Sequence, residues 1–246
     1  MANIKPLFKN LSSDVKTKFQ YSQCLLLISV GQEAHEGERF EATIDLINGS
    51  FKSCIVLLYD SLQRHTMALN SIKEPSAFHE TAAREGTLWL ERNQKYLNKL
   101  TILKDVTRWD MWLNHSNFTA QLNQLKAVID RDPVYRASFE DTISGYIDRY
   151  SKRLQDSSCF NYERARELCF DYILEECAIL CLWPTLQCQF EVYPNYHNGA
   201  IEATRKLFVL PNYPDLLHAI RLGFRNAKQV KPQHFALLHN EAELDA

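Results

Sequence analysis

The sequence predicts an α/β fold in which a parallel sheet is flanked by helices. Two short apolar runs, at residues 23–31 and 54–59, are unbroken, as expected for strands that are buried on both faces of a sheet. Between them, residues 38–48 place apolar side chains at helical spacing. A strand, a helix and a strand in this order form a βαβ unit, which makes the strands parallel and their crossover right-handed.

Turn and capping signals delimit the other elements. Gly31 ends the first run, residues 48–50 (Asn-Gly-Ser) end the helix, and Pro75 suits the first turn of the next helix. The pairs at 132–133 (Asp-Pro) and 157–158 (Ser-Ser) interrupt a long helical region. The later elements are then predicted as a helix over 75–100, a strand over 102–106, helices over 117–181, strands over 187–193 and 206–210, and a last helix over 215–225.

Composition indicates a globular chain. The 246 residues are 46% hydrophobic and 24% charged, as is ordinary for a protein that buries a core without metal or disulfides. No linker or repeat divides the chain, so we expect one domain over 1–246, with its core at about 20–227 and a loose tail at 228–246. No run reaches the length of a membrane span, the N-terminus lacks a signal core, and the seven cysteines are an odd number. We therefore expect a cytoplasmic protein with reduced thiols.

The sequence excludes several common kinds of site. Its seven glycines are not spaced for a dinucleotide-binding motif or a P-loop. The His-Glu pairs at 35–36 and 79–80 lack the second histidine of a zincin helix. The cysteines at 169, 177, 181 and 188 contain no C-x-x-C and are more typical of small core residues than of metal ligands. We expect no cofactor and no metal.

Ser29 is a candidate nucleophile. It lies at the end of the first predicted strand, and ligands of open parallel sheets bind outside the carboxyl ends of the strands. Strand alternation puts Leu25, Leu27 and Ser29 on one face, so the hydroxyl would lie at the mouth of an apolar pocket. A polar residue that merely closes a strand is the alternative. The G-x-S-x-G elbow of α/β-hydrolases is absent, since position 27 is leucine.

The predicted helix over 162–182 carries a candidate binding carboxylate. Its apolar stripe contains Tyr172 and encloses Glu176, whereas Glu175 shares the polar face with Asp171. A core-facing carboxylate must be protonated, paired or hydrogen-bonded. Tyr172 and Glu176 are one helical turn apart, so together they could hold an ammonium group. A structural Tyr–Glu pair anchored to an arginine is the alternative.

Arg92, Lys95 and Lys99 share one face of the predicted helix over 75–100. Such a basic face can hold phosphates, although three basic residues also occur on ordinary solvated helix surfaces. The formal net charge of −2 gives no global field, so a polyanionic partner would need a local patch of this kind.

Four parts of the chain together resemble the tRNA-dependent cyclodipeptide synthases. They are residues 26–32 around Ser29, residues 51–54 leading to 60–65, the Tyr172-x-x-x-Glu176 pair, and Tyr193-Pro194. They occur in family order and at family-like intervals. The family has two subgroups, and Gln32 with Tyr193-Pro194 fits the one in which Tyr-Pro accompanies a variable residue three positions after the serine.

The resemblance implies a fold and a reaction. The fold is a Rossmann-like domain similar to the catalytic domain of class I tyrosyl- and tryptophanyl-tRNA synthetases. The reaction joins two aminoacyl groups into a cyclic dipeptide through aminoacyl- and dipeptidyl-serine intermediates, without ATP. Ser29 would be the nucleophile, Tyr172 and Glu176 would bind the amino group, and Tyr193 would act in cyclisation.

The resemblance also implies binding residues and partners. The first aminoacyl pocket falls on Leu25, Leu27 and Leu57, which favour a small or aliphatic side chain. Gln32 and Pro194 are the other expected substrate-binding residues. As partners we expect two aminoacyl-tRNAs, held on the basic face of Arg92, Lys95 and Lys99. We expect no DNA, membrane or metal partner, and a monomer in preference to an oligomer.

Two other classes of function remain open. A non-catalytic synthetase-like protein that binds tRNA acceptor ends would keep the basic face but would not need Ser29, Tyr172, Glu176 and Tyr193 together. A serine hydrolase would need a nucleophile elbow and an acid–histidine pair, and the sequence shows neither.

Overall fold

The computed structural model describes residues 4–9, 11–152, 160–194 and 197–225. Its strands are β1 (Lys5–Phe8), β2 (Gln23–Ser29), β3 (Ser53–Tyr59), β4 (Leu103–Arg108), β5 (Phe190–Tyr193) and β6 (His218–Arg225). They form one sheet in the order β1-β6-β5-β2-β3-β4. Neighbouring strands are parallel except for β1, which is antiparallel to β6. The predicted fold class, an α/β fold with a largely parallel sheet, is confirmed.

The predicted βαβ unit lies at the centre of the sheet. β2 pairs with β3 in register, from Gln23 opposite Ser53 to Ser29 opposite Tyr59. The helix α2 (Gly37–Asn48) crosses between the two strands. Both strands are buried along nearly their whole length, which explains why their sequences are unbroken apolar runs.

The other helices follow most of the predicted boundaries. They are α1 (Ser13–Lys18), α3 (Arg64–Met67), α4 (His79–Leu97), α5 (Trp109–Leu113), α6 (Phe118–Arg131), α7 (Pro133–Ser151), α8 (Tyr162–Leu180) and α9 (Gly199–Thr204). The predicted break at 132–133 is confirmed, because the Asp132 carboxylate caps α7 by accepting from the N–H groups of Val134 and Tyr135 at 2.9 and 3.0 Å. The Ser-Ser pair at 157–158 and the tail at 228–246 lie outside the described residues.

Two predictions near the C-terminus are wrong. Residues 206–210 are not a strand, because α9 continues into a wide π-helical turn at Arg205–Val209. Residues 215–225 are not a helix, because β6 occupies most of that range. In β6 the buried side chains alternate, with Ile220 and Leu222 inside, and this period of two is the signature of a strand.

The alternating side chains of β2 and β3 divide the core into two layers. Leu25, Leu27 and Leu57 pack with α5 to α9 on one side of the sheet. Leu26 and Ile28 pack with α2 and α4 on the other side. The basic face of α4 and the Tyr172–Glu176 pair of α8 are therefore carried by helices on opposite sides of the sheet.

Glu175 anchors α8 to the loops at the carboxyl ends of the strands. Its carboxylate accepts hydrogen bonds from both terminal nitrogens of Arg64 and, at 2.7 Å, from the Trp109 indole N–H, and His65 Nε2 lies 3.3 Å away. Burial acts to raise the pKa of Glu175, but His65 and Arg64 outweigh it and lower that pKa. The predicted place of Glu175 on the polar face is wrong, since it is only 7% exposed. A helical pattern cannot show an ion-pair partner that lies 111 positions away.

A close backbone approach joins α4 to the loop after β3. Asp60, which is buried, accepts hydrogen bonds from the N–H of Ser61 at 2.8 Å and from Nε of Arg108 at 2.5 Å. Gly86 of α4 lies against this carboxylate, and a Cβ there would be 2.5 Å from Asp60 Cβ. Glycine at this point lets the helix and the loop touch.

We expect Gly86→Ala to destabilise the protein by about 1–3 kcal/mol, because the added methyl group overpacks a buried site. The measurement is the free energy of unfolding from urea denaturation. Gly145→Ala is the matched control in α7, because its Cβ meets nothing closer than the end of the Arg149 side chain, at 3.4 Å. Helix propensity predicts that this control is stabilised by up to about 1 kcal/mol. Equal stability changes in the two variants would contradict the close approach.

We expect Glu175→Gln to lower the free energy of unfolding by about 3 kcal/mol, because removing the charge of this buried carboxylate leaves the half-buried Arg64 guanidinium without its counter-charge. Because pairing lowers the pKa of Glu175, the difference is full above the ordinary glutamate pKa and shrinks as the pH falls through the lowered value. The control is Glu140→Gln, whose partner Arg166 lies with it at the surface, so we expect a loss below about 1 kcal/mol. If both variants lost the same stability, Glu175 would not be an anchor.

Candidate active site

The neighbouring strands β2 and β5 are parallel, so their carboxyl ends lie side by side, and the chain connections of the two strands run on opposite faces of the sheet. From β2 the chain passes through α2 on one side of the sheet to β3, while β5 is reached from the helices on the other side. In doubly wound sheets such a reversal of strand order leaves a crevice that binds ligands. Ser29 is the last residue of β2 and Tyr193 the last of β5. Their hydroxyl oxygens are 3.0 Å apart.

The turn after β2 holds Ser29 in place. Gly31 has φ +85°, a value that favours glycine, and the Gln32 N–H donates back to the Ser29 carbonyl at 3.2 Å. This turn also directs the Gln32 side chain to the Tyr193 hydroxyl, at 3.4 Å from Nε2. The sequence-predicted residues Ser29, Gln32 and Tyr193 therefore lie together.

His35 supports the Ser29 backbone, a contact that the sequence did not predict. Its Nδ1 accepts from the Ser29 N–H at 2.9 Å, and the Trp89 indole N–H donates to the His35 carbonyl at 3.1 Å. Burial lowers the pKa of His35 to about 4, so the ring is neutral at neutral pH. In the sequence, His35 stands out only as part of a His-Glu pair, which gives no sign of a contact six residues back.

Tyr172 and Glu176 face the crevice from α8. Both side chains are half-buried, and Tyr172 packs beside Tyr193 at the rim of the core. Burial raises the pKa of Glu176 to about 7; His197 and a hydrogen bond from Asn198 act to lower it, and Glu191 acts to raise it. Glu176 can therefore exist in either protonation state near neutral pH.

An apolar wall lies below the Ser29 hydroxyl. Leu25, Leu27 and Leu57 are each at most 1% exposed. Behind them Tyr59 packs against Trp109 with a distance of 4.6 Å between ring centroids. The three leucines line the same side of the sheet, as strand alternation predicts. Pro194, the remaining predicted binding residue, is buried directly after β5.

The basic face formed by Arg92, Lys95 and Lys99 lies outside this crevice. Arg92 and Lys95 belong to α4, whereas Lys99 follows the end of α4 at Leu97, so the predicted extension of this helix to residue 100 is wrong. Arg92 pairs with Glu36 at 3.1 Å, Lys99 pairs with Glu41, and the Lys95 ammonium lies 4.7 Å from the centroid of the neighbouring Tyr96 ring. All three basic residues are exposed. The pair between Arg92 and Glu36 brings this face close to the turn that follows Ser29.

The clustered cysteines are part of the core. Those at 169, 177 and 188 are buried, the one at 181 is half-buried, and none forms a disulfide. Burial raises the pKa of each of these thiols. Within the described ranges, no group of three or more His, Cys, Asp or Glu side chains is arranged to hold a metal ion. The same ranges contain no helix with the length and apolarity needed to cross a bilayer.

No protein-family model matches the sequence, and no curated protein matches it. Solved structures do. The cyclodipeptide synthase from Candidatus Glomeribacter gigasporarum, bound to Phe-tRNAPhe, has a TM-score of 0.70 and 19% identity, covering 85% of this chain and 90% of that chain. A Mycobacterium tuberculosis cyclodipeptide synthetase, whose structure relates such enzymes to type I tRNA synthetases, has a TM-score of 0.60 and 12% identity, covering 89% and 91%. These two matches show the fold.

A third match shows the family. The cyclodipeptide synthase from Fluoribacter dumoffii has a TM-score of 0.86 and 36% sequence identity, covering 91% of this chain and 100% of that chain. The likeness therefore extends over about nine tenths of this chain and the whole of that one. This chain belongs to the cyclodipeptide synthase family.

Proposed function

We propose that the chain makes a cyclic dipeptide from two aminoacyl-tRNAs and uses Ser29 as the covalent carrier. The observation that carries this proposal is the 3.0 Å contact between the Ser29 and Tyr193 hydroxyls where the sheet opens. Tyr172 lies close enough to both Tyr193 and Glu176 to interact with their charges. Family membership supports the class of reaction. We assign catalysis to residues of about 20–227 within a single domain.

In the first step, Ser29 Oγ attacks the carbonyl carbon of the ester that links an amino acid to its tRNA. The bond to the ribose oxygen breaks and a serine ester forms, so one ester replaces another and ATP is not required. Tyr193 accepts the serine proton and donates its own proton to the leaving ribose oxygen. The distance between the two hydroxyls suits such a relay.

Glu176 and Tyr172 hold the ammonium of the first aminoacyl group when it binds for transfer to Ser29, and they still hold it in the second step. With its pKa near 7, the Glu176 carboxylate can take a proton from that ammonium. The resulting amine attacks the ester carbonyl of the second aminoacyl-tRNA. A peptide bond forms, the bond to the second ribose oxygen breaks, that oxygen takes up the proton, and a dipeptidyl-serine remains.

In the third step, the free amine of the dipeptide attacks the Ser29 ester. The bond to Oγ breaks, the cyclic dipeptide leaves, and Tyr193 relays the amine proton back to Oγ. Because both groups belong to one bound chain, the closure benefits from a high effective molarity. Gln32 donates to the Tyr193 oxygen, and with Pro194 it supports assignment to the Tyr-Pro subgroup.

The first aminoacyl pocket favours a small or aliphatic side chain. Leu25, Leu27 and Leu57 offer no polar partner, and the rings of Tyr59 and Trp109 fill the space behind them. An apolar pocket discriminates by only about 1–3 kcal/mol per methylene, so several related amino acids should be accepted.

We propose that tRNA binds on the basic face of Arg92, Lys95 and Lys99. Arg92 and Lys99 are engaged by glutamates, but exposed ion pairs are weak, so phosphates can replace those partners. A synthase of the same fold was solved bound to Phe-tRNAPhe, which supports an aminoacyl-tRNA partner.

We expect Ser29→Ala to abolish product formation, because no covalent carrier remains. The chain and the variant are expressed in a bacterial cytoplasm, and diketopiperazines in the medium are identified by mass spectrometry, which also names both amino acids. With the purified proteins, labelled aminoacyl-tRNA should leave label on the wild type and none on the variant.

Ser53→Ala is the matched control. Ser53 is also buried, but it is the first residue of β3 and so lies at the amino ends of the strands, away from Ser29, where it donates to Gln23. We expect it to keep full product yield. Label retained on Ser29→Ala would exclude Ser29 as the nucleophile. Binding of tRNA without any product from the wild type would favour the non-catalytic alternative.

We expect the triple variant Arg92→Gln, Lys95→Gln, Lys99→Gln to bind aminoacyl-tRNA at least about tenfold more weakly at about 0.1 M salt. The dependence of log Kd on log salt should become shallower by about one for each phosphate that the variant no longer binds. Filter binding at several salt concentrations measures both quantities.

The control is Lys126→Gln, Arg131→Gln, Arg149→Gln, three exposed residues on α6 and α7 at the other side of the sheet. It changes the net charge by the same amount and should leave the Kd within about twofold. An equal loss of affinity in both triple variants would mean that general charge, rather than this face, attracts the tRNA.

A further inference from the structure

A buried row of charges lies under the crevice and has no part in the steps described above. It consists of Arg205, Glu191 and His197, and it was not predicted from the sequence. Arg205 Nη2 donates to one oxygen of Glu191 at 2.7 Å, and His197 Nε2 lies 2.8 Å from the other. Glu191 is fully buried and Arg205 is 3% exposed.

Two backbone features position Glu191 and Arg205. Alternation along β5 puts Glu191 on the same face as Tyr193, two residues later. Arg205 begins the π-helical turn after α9, a kind of turn often found at functional sites, and it also donates to the carbonyl of Leu217. Burying such charges costs free energy that pairing only partly recovers, so a contribution to stability is a weak explanation for this row.

His197 brings a positive charge to the crevice. Its ring packs against the Tyr193 ring with 5.8 Å between centroids. Burial acts to lower the pKa of His197, but Glu191 outweighs it and raises that pKa, which favours the protonated ring. With His197 protonated, the row contains two cations and one carboxylate and so has a net positive charge.

Glu176 is the carboxylate that this charge acts on. Among the residues that the structure describes, the groups that interact with the charge of Glu176 are Tyr59 from β3, Tyr172 and Cys177 from α8, Glu191 from β5, and His197 with Asn198 before α9; Asn198 forms a side-chain hydrogen bond with Glu176 and directly follows His197 in the chain. Of these, His197 is the group that favours the charged form by its own charge, and Asn198 favours it by a hydrogen bond. The phenols and the Glu191 carboxylate favour the neutral form.

We propose that His197, fixed by Glu191 and Arg205, is a positioning residue that keeps the Glu176 carboxylate ionised and so sets the pH range in which the aminoacyl ammonium is captured. This rests on the role proposed for Glu176. The row stays charged while substrate enters, because its three members are bound to one another.

The test uses His197→Gln, which removes the charge but can still donate to Glu191. Loss of a nearby cation raises the pKa of a carboxyl group, so the acid limb of aminoacyl transfer to Ser29 should move up by about one pH unit. The single-turnover rate should then be about fivefold lower than that of the wild type at pH 7 and recover most of the difference by pH 8.5.

Two further variants separate charge from structure. His197→Lys restores a cation and should restore the wild-type pH profile to within about twofold at pH 7. His218→Gln, a change at an exposed histidine at the start of β6, should leave the profile unchanged. A uniform loss of rate at all pH values in both His197→Gln and His197→Lys would overturn the proposal and assign His197 to packing alone.

A readout without turnover distinguishes this proposal from the proposed function. Infrared difference spectra over a pH titration follow the carboxyl band that Glu176→Gln removes. We expect the pH at which that band has lost half of its intensity, the midpoint, to lie about one pH unit higher in His197→Gln than in the wild type. A shifted midpoint in a protein that transfers no aminoacyl group would support the role of His197 and contradict the enzymatic function. An unshifted midpoint would overturn the role of His197.

Discussion

The parallel pairing of β2 with both of its neighbours is the constraint on which the rest of the structure depends. Hydrogen bonds to β3 and to β5 occupy both edges of β2, and helices cover both of its faces, so the strand must be apolar along its length. The chain leaves β2 on one side of the sheet and enters β5 from the other. That reversal opens a crevice at Ser29 and Tyr193, and side chains from four different elements converge on it.

The two adjacent glutamates of α8 have different surroundings and different roles in the structure. Glu175 turns toward Arg64, His65 and the Trp109 indole, where it is paired and buried. Glu176, about 100° further round the helix, turns toward the crevice, where burial raises its pKa. The first carboxylate fixes the helix and so holds the second, which forms a hydrogen bond with the Asn198 side chain, at a defined place.

The fold and the family follow from different observations. Structural likeness at 12% and 19% identity establishes the α/β fold, whereas 36% identity over a complete relative establishes the family. The roles proposed for single residues rest on the geometry of the crevice. A hydroxyl pair can relay a proton, and a carboxylate can hold an ammonium group, whichever aminoacyl ester is bound there.

The sequence by itself determined the central βαβ unit, the capped helices α6 to α8 and the apolar wall of leucines, because hydrophobic period and capping are local properties. It also predicted Ser29 from its place at the end of a strand and Tyr172 with Glu176 from their helical spacing, and the resemblance added Tyr193 and a role for each of the four. The tertiary structure alone decided that Glu175 is buried, that His35 supports Ser29, and that Glu191, His197 and Arg205 form one row. Each of these depends on a partner from another part of the fold. Likewise, residues 218–225 form a strand because they pair with β5. Local patterns carry no information about such partners, since ion pairs and strand pairing join residues that are distant in the chain.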